Sequence, residues 1–457
     1  SIMKKIHSVY IALFIPLLFL PSINAKAQHS FDHQKLETYL SALAEYDKFM
    51  GSVAVIEGDE LIYSRAVGLI GVNGADAGPD VMYRIGSMTK TYTATIVMQL
   101  VEEGELNLDD KLSDFYPDLP NADQITIEHL LRHRSGLTNM TSLREYLEYY
   151  TEETTREEML ERFANLETRF EPDSQFEYSN TGYVLLGYII EEITGLSYGE
   201  ALALYVTEPA ALQQTYYGME LEPGAVVASS FTYDGRSWNN TPSTNLSVPH
   251  GAGAIVASAP DVVRFFDSLF DGEIVSESSL EKMMLFQDGY GLGLVRVPFY
   301  EKVGVGHNGI IDGFQLTAAT FQNEDITFAI LGNGINEPLN EVAIGVLSIL
   351  FERDFEIPDF SVEPDLVTLS EEEKEAFTGS YSSEDIALEI DVFIQGGSVM
   401  AQATGQGPFP LTSYEDGIMK FHPASLEMVF GSMADGKYQV FELNQGGQSY
   451  RFSRKSE

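Results

Sequence analysis

Strand patterns stand at both ends of the first three quarters of this chain, with a helix-rich stretch between them, and that order restricts how a core can close. Ser52–Ile56 and Leu61–Gly68 flank Gly58-Asp59, the pattern of a strand pair joined by a tight turn. The next clear strands are the one carrying His307 and the hairpin Leu316–Gln322 with Ile326–Leu331. The sequence from about 104 to 290 is mostly helical in pattern. Both strand sets must therefore share one antiparallel sheet, with the middle of the chain inserted as a helical region. Leu36, Tyr39, Leu40, Leu43, Ala44 and Tyr46 recur at helical spacing before the first pair, and a helix from about Leu339 to Phe351 closes the unit. The expected class is α+β.

Beyond it the composition changes. Residues 357–369, with Pro358, Pro364 and several acids, read as a linker. The acidic run Glu371-Glu372-Glu373 opens a smaller unit, 370–457. In it Ile386, Leu388, Ile390, Val392 and Ile394 alternate with other residues, and short strands follow around Leu426–Phe430, Tyr438–Leu443 and Tyr450–Phe452. Glycine turns at 396–397 and 446–447 separate them, so a small antiparallel barrel is expected.

Lys4 and Lys5, the apolar stretch Ile11–Leu20 and Ala25-Lys26-Ala27 together form the three parts of a secretory signal peptide ending at residue 27, with Ser1 and Ile2 read as additions ahead of Met3. The expected location is periplasmic or secreted, a membrane anchor being the alternative. No later segment reads as a membrane span. The chain has no cysteine, which excludes disulfides, thiolate metal sites, a cysteine nucleophile and a lipoprotein anchor. With 69 acidic against 27 basic residues the formal net charge is −42, which excludes nucleic acid and anionic membrane as partners. No feature speaks to oligomeric state.

Ser87-Met88-Thr89-Lys90 opens an apolar helix through Ile96, Val97, Met98, Leu100 and Val101 to Gly104. Serine and lysine three apart share a helix face, so the hydroxyl lies beside an amine in an apolar wall. Alone the pattern recurs by chance, and its bland reading is a helix cap with a surface lysine. Two further elements follow in order. Tyr178-Ser179-Asn180 lies between the turn Glu171–Ser174 and an apolar helix from Tyr183 to Ile193. His307-Asn308-Gly309 lies within a glycine-rich strand just before the late hairpin, and glycines at 306 and 309 point to a close approach.

With these motifs the sequence resembles the serine β-lactamase-like, penicillin-recognising hydrolases, in the branch of class C β-lactamases, D-alanyl-D-alanine carboxypeptidases, D-aminopeptidases and esterases, over roughly residues 30 to 355. Leu130–Leu137 is similar to the family's HxSGL helix end, Gly251–Asp261 to its small-residue segment, and Gly306–Gly309 with Gly313-Phe314 to its GHxG…GF element. The resemblance implies a β-lactamase/transpeptidase-like domain over 28–356 and a lipocalin-like barrel over 370–457. It also implies an acyl-enzyme formed on Ser87, with Lys90 neutral by desolvation and Tyr178 held as phenolate beside it. The backbone N–H groups of Ser87 and Ile310 would form the oxyanion hole. Asn180, His307, Asn308 and Gly309 would bind substrate: Asn180 its amide, and His307 its carboxylate, when the ring is protonated, or its leaving-group side. No metal or cofactor is called for.

One departure bears on substrate, because His-Asn-Gly stands where typical β-lactamases have Lys-Thr-Gly. Histidine is charged only below a pKa of about 6.5 when unperturbed. The sequence therefore reads as an exported serine hydrolase of small-molecule or peptide substrates, including peptidoglycan fragments. A DD-peptidase or D-amino-acid peptidase leads, and an esterase or weak class C-like β-lactamase is the alternative within this chemistry. A non-catalytic peptidoglycan- or peptide-binding protein is the alternative outside it. Two decoys are set aside. Gly195-Leu196-Ser197-Tyr198-Gly199 fits G-x-S-x-G but follows a helix, where Gly195 terminates and Ser197 with Glu200 caps. His129 and His133 have zinc-ligand spacing but no glutamate base and no third ligand.

Overall fold

A computed structural model describes residues 31–68, 78–361, 366–404 and 406–455. The leader expected at 1–27 and part of the linker lie outside the described residues. The central sheet runs Glu60–Val67, Phe49–Glu57, Ile326–Ile335, Phe314–Phe321, Lys302–Ile311 and Val295–Phe299, antiparallel throughout. Strands from the two ends of the unit thus pair, Val53 standing opposite Ile330.

Both faces of this sheet are covered, and the alternation of side chains divides them. Val53, Val55, Ala319, Phe321, Phe328 and Ile330 pack against the helices His33–Glu45 and Leu339–Leu350. Ala54, Ile56, Leu316, Ala318, Ala329 and Leu331 face the second core, built from the inserted region. Burial on both faces explains why Ile326–Ile335 reads as an unbroken apolar run rather than a period of two. Helix Ala259–Phe270, capped by Ser258 with Pro260 in its first turn, lies across the insert side of the sheet.

The insert is less helical than its pattern implied. Its strands Ile255–Ser258 and Thr215–Tyr217 form a small sheet with Met82–Arg84, which precedes it, and a hairpin of Phe231–Tyr233 with Trp238–Asn240 joins the main sheet through Phe231 and Gly334. These strands are three or four residues long, too short for a periodic signal.

The C-terminal unit is a nine-stranded antiparallel sheet whose edge strands, Phe409–Pro410 and Thr412–Ser413, are separated in sequence only by the buried Leu411. Two edges joined through one residue must lie side by side, so the sheet curls into a nearly closed barrel. Phe377, Tyr381, Phe430, Phe441 and Phe452 fill it. The barrel meets the larger unit where Arg144 pairs with Asp391 and where Gly235 packs on Thr412, and Arg236 bonds Thr368 just before the barrel. Among the described residues no helix is long and apolar enough to cross a membrane.

Phe321 is fully buried between the rings of Phe328 and Phe351. Phe321→Ala should lower unfolding stability by about 3–5 kcal/mol, read as a fall in the urea midpoint at an unchanged m-value.

Candidate active site

The strand Met82–Arg84 leads through Ile85 into a tight turn at Gly86–Met88, which passes directly into the helix Thr89–Glu102. Gly86 has φ +50°, and a Cβ there would lie 2.8 Å from the carbonyl oxygen and 3.1 Å from the nitrogen of Ile310. Gly309 is held as closely from the other side, since its Cβ would lie 2.1 Å from the carbonyl oxygen of Ile85. The edge of strand Lys302–Ile311 is paired with Val295–Phe299 only as far as Gly306; beyond that it packs on the 86–88 turn. The backbones of Ser87 and Ile310 are therefore neighbours across an open strand edge.

Lys90, one turn into the helix, is completely buried. Its Nζ lies 3.0 Å from Ser87 Oγ, 2.7 Å from Asn180 Oδ1 and 2.9 Å from the Ala252 carbonyl oxygen. All three are neutral groups, and burial alone pushes the amine well below its usual pKa. A neutral amine has two N–H groups and one lone pair. With the N–H groups on Asn180 and Ala252, the lone pair faces the Ser87 hydroxyl, and Ser87 itself is partly exposed. This arrangement can take a proton from a hydroxyl that a substrate can reach.

The Tyr178 hydroxyl is directed toward Ser87, and its ring centroid lies 4.9 Å from the Lys90 nitrogen. Here the structure departs from expectation. Burial pushes the phenol up, the Ser87 bond opposing only in part, so Tyr178 is a phenol and not a phenolate. An amine kept neutral provides no positive field to stabilise the anion.

Asn180 begins the helix Asn180–Thr194, but its amide does not point into free space. Its Oδ1 accepts from Lys90, and its Nδ2 donates to Asn139 Oδ1 at 3.2 Å and Thr141 Oγ1 at 3.1 Å. The residue holds the lysine rather than waiting for a substrate amide. Asn139, Thr141 and the Ala252 carbonyl were not found in the sequence. The polar run just after Leu130–Leu137 was a usable signal for the first two, whereas a carbonyl leaves none.

His307 requires the largest correction. It is buried, its Nε2 lies 2.8 Å from Tyr290 Oη, and its Nδ1 lies 2.6 Å from the Asn308 carbonyl oxygen. Burial pushes the imidazole down to about 4, the bond to the Asn308 carbonyl opposing only in part. At neutral pH it is an uncharged ring with both nitrogens engaged, so it cannot serve as the cation for a carboxylate. Asn308 and Ile310 are the exposed residues of this strand end, while Gly309 is buried against Ile85. Beneath Tyr178 lies His133, whose Nδ1 accepts from the Ser179 N–H at 3.0 Å and whose ring is 4.2 Å from that of Tyr178. His129 instead accepts from the Thr126 N–H, so the two histidines do not converge on a metal position. Gly195, with φ +66°, ends its helix and Ser197 with Glu200 forms a capping box, so Ser197 is a helix cap and not a nucleophile elbow.

The model of the family described as Beta-lactamase matches residues 39–346, about two thirds of the chain. The chain belongs to this family. As a member of the Beta-lactamase family it shares the β-lactamase/transpeptidase fold and serine-hydrolase relatives. It is similar to penicillin-binding protein 4* of Bacillus subtilis (strain 168), with 26% identity over 381 residues, covering 77% of this chain and 83% of the relative. The D-amino acid amidase of Ochrobactrum anthropi SV3, in a structure complexed with L-phenylalanine amide, superposes with a TM-score of 0.61 and 26% identity over 69% of this chain and 99% of the amidase. An octameric penicillin-binding protein homologue from Pyrococcus abyssi, at 23% identity and a TM-score of 0.61, covers 92% of this chain and 99% of its own; this likeness extends into the C-terminal barrel and bears on fold alone.

The buried imidazole sets a pH dependence. An unfolded histidine binds a proton below about pH 6.5, whereas folded His307 does not until about pH 4, so stability falls as pH drops through that window. His307 alone should account for about 3 kcal/mol of loss between pH 7 and 4. Urea melts at the two pH values should show a smaller difference for His307→Gln than for wild type. An identical difference would mean that the ring titrates normally in the folded state.

Proposed function

We propose that this protein is an exported serine hydrolase that cleaves amide or ester bonds of D-amino-acid compounds through an acyl-enzyme on Ser87. The observation that carries this reading is the buried Lys90 amine, bonded to the Ser87 hydroxyl and to two neutral acceptors. Ser87 Oγ attacks the carbonyl carbon while its proton passes to Lys90 Nζ. The developing oxyanion is received by the backbone N–H groups of Ser87 and Ile310. The Tyr178 phenol gives its proton to the leaving amine or alcohol and regains the serine's proton from the Lys90 ammonium, so one proton leaves with the leaving group and Lys90 and Tyr178 both return to neutral. Water then cleaves the ester by the reverse path. General base help of this kind is typically worth ~10² to 10⁴ in rate. Export rests on the leader read at residues 1–27.

Among the relatives, the amidase name favours D-amino-acid amides and the penicillin-binding names favour D-Ala-D-Ala-like compounds. The neutral His307 supports the former, because a carboxylate held at that strand would find no charge there. Ile310, 68% exposed beside Ser87, offers an apolar rim instead. The formal charge of −42 also favours an amine-bearing substrate over an anionic one.

A fluorophosphonate probe and a fluorescent penicillin test the nucleophile. Covalent labelling should vanish in Ser87→Ala and slow by ~10²-fold or more in Lys90→Met. No labelling of the wild type by either would favour a non-catalytic binding protein. With D-phenylalanine amide and a D-Ala-D-Ala peptide as substrates, kcat/KM should be higher for the amide. Preference for the peptide would sink the substrate assignment while leaving the nucleophile intact.

A further inference from the structure

Asp312 has a buried carboxylate that none of the chemistry above uses. Its side chain is 2% exposed, in the turn that joins Lys302–Ile311 to Phe314–Phe321, two residues after Ile310. Its Oδ1 accepts from the Thr244 N–H at 3.0 Å and the Thr244 hydroxyl at 2.6 Å, and its Oδ2 lies 3.3 Å from Arg84 Nη1. The same Arg84 nitrogen donates to the Thr244 carbonyl oxygen at 2.6 Å. Arg84 stands three residues before Ser87. Tyr146 and Tyr150 also face this carboxylate.

We propose that Arg84, Asp312 and Thr244 form a clamp that fixes the spacing between the Ser87 and Ile310 backbone N–H groups, and that all three are positioning residues for the oxyanion hole. The inference rests on the proposed hydrolase reading. Its physical basis is that the backbones of the two segments meet in close contacts at Gly86 and Gly309, with the Tyr83 and Phe314 rings in edge contact nearby. Such contacts resist compression and set a minimum separation, but nothing in them resists opening. The hole needs both donors 2.7–3.1 Å from one oxygen, so a few tenths of an ångström matter. An ion pair tied from residue 84 to residue 312, with Thr244 bonded to both partners, supplies the missing restraint. Burying a carboxylate and a guanidinium is costly, and an apolar contact would fill the space more cheaply. What an apolar contact lacks is a fixed direction and length.

The test uses the full-length protein and two probes. Fluorophosphonate labelling reports attack by Ser87, and 3-aminophenylboronic acid forms a tetrahedral adduct with an oxygen placed as the oxyanion is. Asp312→Asn and Arg84→Gln should each lower the labelling rate and the boronic-acid affinity on the order of 10²-fold, with KM for D-phenylalanine amide changed by less than about threefold. The double variant should be no worse than Asp312→Asn alone, because the two act as one unit. Arg84→Lys, which keeps a donor, should recover part of the loss. If Asp312→Asn fails to fold, Arg84→Gln and Thr244→Val are measured in its place, the latter losing about tenfold. Wild-type rates and affinities in the folded variants would overturn the clamp. Labelling that survives Ser87→Ala would instead overturn the hydrolase reading beneath it.

Discussion

An amine sealed from water without a counterion is the constraint on which the site depends. Lys90 is placed there by a helix whose residues 89–98 are all buried, and among the described residues its hydrogen-bond partners are all neutral groups. In such surroundings the charged form is disfavoured, and the lysine becomes a base at ordinary pH. The rest of the site follows from satisfying that amine. Asn180 and the Ala252 carbonyl take its two N–H groups, Asn139 and Thr141 fix Asn180, and the remaining lone pair is left for Ser87. A carboxylate in any of these places would have restored the charge and removed the base.

The same absence of charge extends outward. Tyr178 stays a phenol, His133 is held well below its ordinary pKa chiefly by burial, and His307 is locked between Tyr290 and the Asn308 carbonyl. A cluster of neutral donors and acceptors can pass a proton around without stabilising any one ion, which suits the base that the proposed mechanism requires. It also removes the cation that a Lys-Thr-Gly motif would present. The third motif thereby becomes a backbone element, through Gly309 and Ile310, more than a side-chain one.

The sheet was legible because its strands obey simple rules: the turn at Gly58-Asp59 and the late hairpin each pair with local partners, and two-face burial leaves continuous apolar runs. The short strands of the insert were not, since three residues carry no period. Of the site, Ser87, Lys90 and Tyr178 could be found as ordered motifs, and the structure brings them into contact. The ionisation states of Tyr178 and His307 could not, because they depend on burial and on Tyr290, whose role no local pattern announces. Asp312 and Arg84 were invisible for the same reason: an aspartate in a hairpin turn reads as turn chemistry until its partner across the fold is known.

The most direct test of the central claim is the ionisation of Lys90 itself, followed by NMR of isotopically labelled lysine with the signal assigned through Lys90→Arg. The account predicts a side chain that loses its proton well below pH 10.5. An ammonium that persists to about pH 10, as in an exposed lysine, would contradict it.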